Sequence, residues 1–262
     1  MTEQQINFVN PILETFENQD IKEFAIELLN TMPDYIWHVG ASSTGKYHPE
    51  YSLGDGGLMR HQVAVVRFLN FFFELEQYSS KLTSREMDCM RVCGLVHDGR
   101  KSGSQEDYEH SKYTKFDHPL QMAAVIRSYD GKYLSHEEIE MIASTIERHM
   151  GAWNTDKKSN ITLPKPNEKF SRMLHVADYL ASRKCLTMEF ENYEVNGEVP
   201  TVEFDPETTF TFGKYKGEKI LDVYDSHPDY VDWCLENIHK TNVQQTLKAM
   251  KKYLEKDAEM GF

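Results

Sequence analysis

"GLVHDGRKSG", residues 94–103, ends an apolar run with a histidine and an aspartate side by side, and a basic, glycine-bearing turn follows at once. His97 keeps step with Met90 and Cys93 at intervals of three and four, the stripe that a helix buries. Asp98 follows His97 directly, and an ionised carboxylate on an apolar face, as Asp178 is on a later helix, costs roughly several kcal/mol unless it is paired or metal-bound. Working outward, the same register recurs. His61 falls in line with Leu58, Val65, Phe68 and Phe72, and His149 with Ile139, Ile142 and Ile146. Asp178 shares a face with Phe170, Leu174, Ala177 and Ala181. Taken alone, His61 reads as a core histidine bonded to a carbonyl, and Asp178 as half of a helix-to-helix ion pair. His97-Asp98 alone reads as a helix C-terminus where a protonated imidazole meets the dipole. Several helices each turning one imidazole or carboxylate inward point instead to a shared cation.

The chain has 262 residues, 40% of them apolar and 27% charged, which suits one large domain or a medium one with a small appendage. No apolar span reaches membrane length, and the N-terminus "MTEQQINFVN" lacks the basic-then-apolar pattern of a signal peptide. The expectation is a cytoplasmic protein without membrane contact. Cys89, Cys93, Cys185 and Cys234 show no CxxC spacing and read as free buried thiols of a reducing compartment. A formal charge of -13 argues against a broad grip on duplex nucleic acid. It leaves room for a short single strand or a free nucleotide in a locally basic pocket.

Residues 1–190 read as mostly helical. A helix is expected from Asp20, another over about Leu58–Tyr78, and a third after the capping box Thr83/Glu86. Further helices start near Pro119, where proline suits the first helical position, and at the capping box Ser135/Glu138. "FSRMLHVADYLASRK" is the last strongly periodic helix of this block. Residues 191–207, acidic and turn-rich, read as a linker or a small hairpin. "FTFGKYKGEKI" alternates aromatic and polar residues around Gly213 and Gly217, the pattern of a two-stranded hairpin. Two short helices, near 219–238 and 241–257, complete a small module over 208–262.

"RHQ", "VHDGRK", "DHPLQMA", "ERHMGAW" and "HVADYLASR" resemble, in that order, the motifs of the HD superfamily of metal-dependent phosphohydrolases. The resemblance covers roughly residues 35–190. It implies a mainly α fold: an HD-type helical domain over 1–190, followed by the small α+β C-terminal module. It implies His61, His97, Asp98 and Asp178 as ligands of one metal. Relatives with a second metal add two histidines, and His118 and His149 stand at those points, with Asp98 bridging. His118, at the mouth of a helix, reads alternatively as a neighbour of the N-terminal cap. His110, His136 and His175 lack an inward position or a motif and read as surface or supporting residues.

Lys101 matches the basic residue that contacts substrate phosphate in many relatives. Arg100 departs from the family, where glycine is common, and Gly99 replaces an apolar residue. Arg100 adds a guanidinium suited to phosphate oxygens, so Asp98, Lys101 and Arg100 form the catalytic set. The loop "ASSTGKYHP" supplies Ser42, Ser43, Thr44 and Lys46. Thr44 and Lys46, with Lys101, are the substrate-binding candidates, and a surface loop is the competing reading. P-loop spacing is missing, and no strand leads in.

Imidazole and carboxylate ligands with open positions suit one or two divalent ions of manganese, iron, nickel, cobalt or zinc. Such an ion lowers the pKa of water toward ~7 and so supplies hydroxide at neutral pH. A second resemblance, over 208–238, is to the small C-terminal module of exodeoxyribonuclease X-type proteins. Lys214, Lys216 and Lys219 lie beside Phe212 and Tyr215, a combination able to stack on a single strand. Phe212 and Trp233 read as the module's own core. The module's net negative charge counts against strand binding.

The leading expectation is hydrolysis of a phosphoester of a nucleotide or nucleic-acid end, with a nuclease or phosphodiesterase slightly ahead. A nucleoside-phosphate hydrolase comes next, and a mixed-valence di-iron oxygenase of the same ligand order after that. A non-catalytic nucleotide sensor is disfavoured by the complete ligand set.

Overall fold

In the computed structural model, residues 1–42, 48–156, 159–190, 194–196 and 204–238 are described, with 243, 246–251, 253 and 254. The chain divides into two compact units, Met1–Gly197 and Glu198–Phe262. Both are helical. Among the described residues, antiparallel pairing is confined to the isolated bridges Thr155–Thr162 and Thr209–Lys219.

The first unit is built around its third helix. Helices α1 (Glu3–Leu13) and α2 (Gln19–Thr31) precede it, and α1 opens on a capping box of Thr2 and Gln5. Helix α3 (Gly57–Glu74) buries every residue from Gly57 to Val66. It starts where Gly56 takes a left-handed conformation, φ 68°. The buried Arg60 guanidinium then fastens the preceding loop by donating to the carbonyls of Tyr51 (2.5 Å), Leu53 (2.8 Å) and Asp55 (2.8 Å). The helix expected to run to Tyr78 breaks at Leu75, which is extended, and resumes as the single turn α4 (Glu76–Ser79).

Helix α5 (Ser84–Val96) begins at the expected Thr83/Glu86 capping box and packs on α2, α3, α8 and α9. Gly94 brings it close to α3, because a Cβ there would stand 2.8 Å from a Val66 methyl. Asp88, fully buried on α5, accepts from the backbone N–H groups of Glu17 and Asn18 and pairs with Arg91 at 2.5 Å. That carboxylate ties α5 to the turn between α1 and α2. Short α6 (Gln105–His110) follows, then α7 (His118–Arg127), α8 (His136–Glu147) behind its Ser135/Glu138 capping box, and α9 (Lys169–Ala181). Helix α7 packs on α8, and α9 on α3, α5 and α8. Helix α3, α5, α7, α8 and α9 thus carry the inward residues singled out above.

The stretch read as a linker from 191 divides differently. Val195 is buried in the first unit, and Asn196 donates to Trp37 O (2.6 Å) and to Asp55 (2.9 Å). Phe204 is buried in the second unit.

The second unit has its own core of Phe204, Phe210, Tyr215, Ile220, Val223, Val231, Cys234, Val243, Leu247 and Met250. Helices α10 (Ile220–Ser226) and α11 (Pro228–Asn237) supply much of it. The hairpin expected over 210–220 reduces to the Thr209–Lys219 bridge. Phe210 N donates to Glu218 O and Gly217 N to Phe210 O, and the residues between turn rather than extend. Trp233, expected in the core, is 51% exposed and stacks on Tyr230 at 6.3 Å, while Phe212 is partly buried. Phe210 and Tyr215 take the core positions instead. Cys89, Cys93 and Cys234 are buried thiols as expected, but Cys185 is exposed. Among the described residues no helix is long and apolar enough to cross a membrane.

Candidate metal centre

Five segments of the first unit bring six side chains to one point. His61 comes from the buried face of α3, and His97 caps the C-terminus of α5 with Asp98 beside it. His118 opens α7, His149 follows the end of α8, and Asp178 lies in the last two turns of α9. The four histidines and Asp98 are each at most 3% exposed. Asp178 is 23% exposed and marks the open side.

The carboxylates sit among the imidazoles. His61 Nε2 is 3.1 Å from Asp178 Oδ1, and His97 Nε2 is 3.9 Å from the same oxygen and 3.8 Å from Asp98 Oδ2. Asp98 Oδ1 lies 3.0 Å from His118 Nε2 and 3.8 Å from His149 Nε2. Three sets, His61/His97/Asp98, His97/His149/Asp178 and Asp98/His118/His149, each hold their ligand atoms within 4.8 Å of one another. The structure therefore brings together all six residues expected as ligands.

Ring orientation is fixed from behind. His97 Nδ1 meets Gly94 O at 3.0 Å, His118 Nδ1 meets Lys115 O at 2.6 Å, and His149 Nδ1 meets Ile146 O at 2.8 Å. A carbonyl only accepts, so each Nδ1 carries the proton and each Nε2 turns a lone pair inward. This second-atom anchoring is how metal-binding histidines are held. The Nε2 atoms of His97 and His118 are buried and make no hydrogen bond, an arrangement costly without a ligand. The donor set of imidazoles and carboxylates, with no thiolate among it, fits a divalent transition ion.

Electrostatics favours the metal-ready protonation state. Burial pushes the His149 imidazole down to about 3, with His97 and His118 adding to the effect. Burial also lowers His97, against the pull of Asp98 and Asp178. For Asp98 burial alone would raise the carboxyl, but the Lys101 ammonium, His97 and His118 together hold it well below the carboxylate range. Asp178 is likewise pushed up by burial and brought down further by the His61 hydrogen bond and the nearby His97. Neutral imidazoles and ionised carboxylates are what a cation requires.

Lys101 Nζ reaches Asp98 Oδ2 at 2.5 Å, so the expected phosphate contact is at the cluster. Arg100 is not brought into it: its Nε is buried without a partner, and its charge acts on Tyr35. The turn carrying both is clasped by Tyr35, whose hydroxyl donates to Gly103 O (2.9 Å) and accepts from Ser102 N (3.0 Å). Gly99 has a packing reason, since a Cβ there would stand 2.4 Å from the Met32 sulfur. Ser43, Thr44 and Lys46 lie outside the described residues.

His48 belongs to the site and was not singled out from sequence. Its ring is 5.7 Å from that of His61, its Nδ1 is buried without a partner, and burial lowers it to about 4. It sits in a loop, where helical spacing gives no signal; the cue available was its place within a long polar loop leading to His61. His175, read as a supporting residue, fills that role by bonding His149 O through Nδ1 at 2.8 Å. His110 and His136 are exposed, as read. A cavity of about 400 Å³ adjoins the cluster, with His118, Lys115, Phe116 and Met150 in its wall.

Residues 210–239 match the family described as "Exodeoxyribonuclease X-like C-terminal". The matched stretch lies within the second unit. Consistent with that match, the chain is 42% identical over 48 residues to Exodeoxyribonuclease 10 of Escherichia coli strain K12, covering 18% of this chain and 21% of that protein. Exodeoxyribonuclease 10 of Escherichia coli O6:H1 gives the same identity and coverage. The chain thus spans about a fifth of the length of these curated relatives. No solved structure matches it.

Proposed function

We propose that the chain is a metal-dependent phosphohydrolase of the HD type, acting on a phosphoester of a nucleotide or of a nucleic-acid end. The observation that carries the reading is the set of Nδ1-anchored imidazoles, His97, His118 and His149, whose Nε2 atoms converge on Asp98. His61, His97, Asp98 and Asp178 would hold one ion, and His118 and His149 a second, with Asp98 common to both. When bound, such ions polarise phosphoryl oxygens and make water acidic enough to deprotonate near neutral pH.

The rest falls to the chain. Anchored rings and ionised carboxylates hold the donor atoms in place before any ligand arrives, so little reorganisation is required. Lys101, 15% exposed at the cluster, is placed to neutralise a phosphate oxygen, with Asp98 holding its ammonium until then. Asp178 marks the side from which substrate approaches. Arg100 enters the phosphate site by swinging its guanidinium toward it on binding, and Thr44 and Lys46 are candidates for closing over the phosphate. Residues 1–190 form the catalytic domain and 208–262 adjust which substrate is chosen. The exodeoxyribonuclease X-like module favours a nucleic-acid end over a free nucleotide.

The test is a panel of nucleotides and short oligonucleotides offered to the full chain with manganese, under anaerobic conditions. Phosphoester hydrolysis abolished by chelation and restored by manganese is expected. Turnover that demands iron and dioxygen would assign the centre to the oxygenase reading instead.

A further inference from the structure

Beside the metal cluster, an indole lies open to solvent. Trp153, 55% exposed, follows the turn that carries His149, and its backbone N–H donates to Met150 O at 3.1 Å. It is not loose. Its ring stacks on Tyr179 at 6.1 Å with 17° between planes, and His175 lies behind at 6.4 Å. The Arg183 guanidinium sits 4.2 Å over the Tyr179 ring and donates to Tyr179 O. Tyr179 itself is 41% exposed.

The group is joined to the candidate centre by short links. Tyr179 follows Asp178 directly in α9, and His175, one helical turn earlier, bonds the backbone of His149. Side chains three apart on a helix stand about 5–6 Å apart, so His175 spans the space between cluster and platform. Gly151 makes this approach possible: at φ 60° it is left-handed, and a Cβ there would overlap the His175 ring at 2.0 Å. The sequence has thus given up a side chain to keep an aromatic shelf against the ligand His149.

From this placement we infer that Trp153, backed by Tyr179, is a stacking platform for the nucleobase next to the hydrolysed phosphoester. A flat, preorganised indole matches the face of any base, and stacking is indifferent to base identity. Arg183 adds a cation at the platform's edge, complementary to the phosphate of the same nucleotide. The inference rests on the phosphohydrolase reading for its orientation, and names what that site would hold: a base, whether of a free nucleotide or of a strand end.

The experiment is isothermal titration of the manganese-loaded full chain with three ligands. They are a phosphorothioate pentathymidylate, the abasic strand of the same length and backbone, and thymidine monophosphate. The base-bearing strand is expected to bind roughly tenfold tighter than the abasic one. Trp153→Ala should erase that difference with metal content unchanged, and Trp153→Phe should keep most of it. A Trp153-dependent signal with the mononucleotide would make the source a free nucleotide, and one confined to the strand would make it a nucleic-acid end. Equal binding of the two strands, or a difference that survives Trp153→Ala, would overturn the platform. Hydrolysis without base dependence would remove the platform and leave the phosphohydrolase reading standing. Base-dependent binding without hydrolysis of any phosphoester would do the reverse.

Discussion

Asp98 stands at the meeting point of three imidazoles and one ammonium, so its removal takes away the carboxylate on which they converge. Lys101 is different in kind, because it pairs with a carboxylate oxygen and is not among the groups that anchor the histidine rings. Lys101→Ala is therefore expected to keep its metal and its fold while kcat/KM on a phosphoester falls about 10- to 150-fold, the equivalent of losing one charge-assisted contact. Metal analysis beside steady-state kinetics checks this; loss of metal would make Lys101 part of the cluster's own support. The imidazoles set the pH response of the metal-free protein. His48 and His149 are lowered to about 4 and about 3, and His97 is lowered too, so all three stay neutral where the unfolded chain's histidines are charged. Between the ordinary value near 6.5 and the folded values, the unfolded state binds more protons, so stability rises with pH across that window. Thermal denaturation in chelator should show Tm falling as pH drops from 6.5 toward 4. A flat profile over that range would mean the histidines are not held neutral.

At the scale of the element, the legible part of the site was the helical part. His61, His97, His149 and Asp178 announced themselves because each keeps step with apolar neighbours at intervals of three and four. The Thr83/Glu86 and Ser135/Glu138 capping boxes marked two helix starts for the same reason, a local pattern with a local cause. What escaped sits where no period runs. His48 lies in a loop, Trp153 in a turn, and the Tyr35 clasp joins residues some 67 positions apart. The expected hairpin failed because Phe210 and Tyr215 both turn into one core, so their alternation was not that of a strand. The turn at Gly151 offers a direct check at this scale. Gly151→Ala must adopt a left-handed backbone and displace His175, each costing about 1–3 kcal/mol. Its Tm should fall by several degrees and its metal affinity with it, because His175 bonds the backbone of His149. An unchanged melting curve would show that the turn and the ring relax independently of the centre.

For the whole molecule, the chain divides into two units, each with a hydrophobic core of its own. The first unit holds all six candidate ligands; the second, which contains the stretch similar to the exodeoxyribonuclease X-like family, contributes none of them. A chain ending at Val199 is expected to retain metal and to hydrolyse a small phosphodiester, and to lose activity selectively on oligonucleotides. The gap from the full chain should shrink at high salt if the module's lysines meet phosphates. Equal oligonucleotide kinetics at low salt would make the module a folding or assembly element. Beneath these outcomes lies the reading of the buried His/Asp cluster as a metal centre. It is tested most directly by elemental analysis of the purified full chain and its Asp98→Ala variant after manganese loading. Close to two ions per chain are expected in the unmodified protein, and their loss in Asp98→Ala, with the helical circular dichroism preserved. Undiminished manganese in a folded Asp98→Ala protein, or none in the unmodified chain, would contradict it.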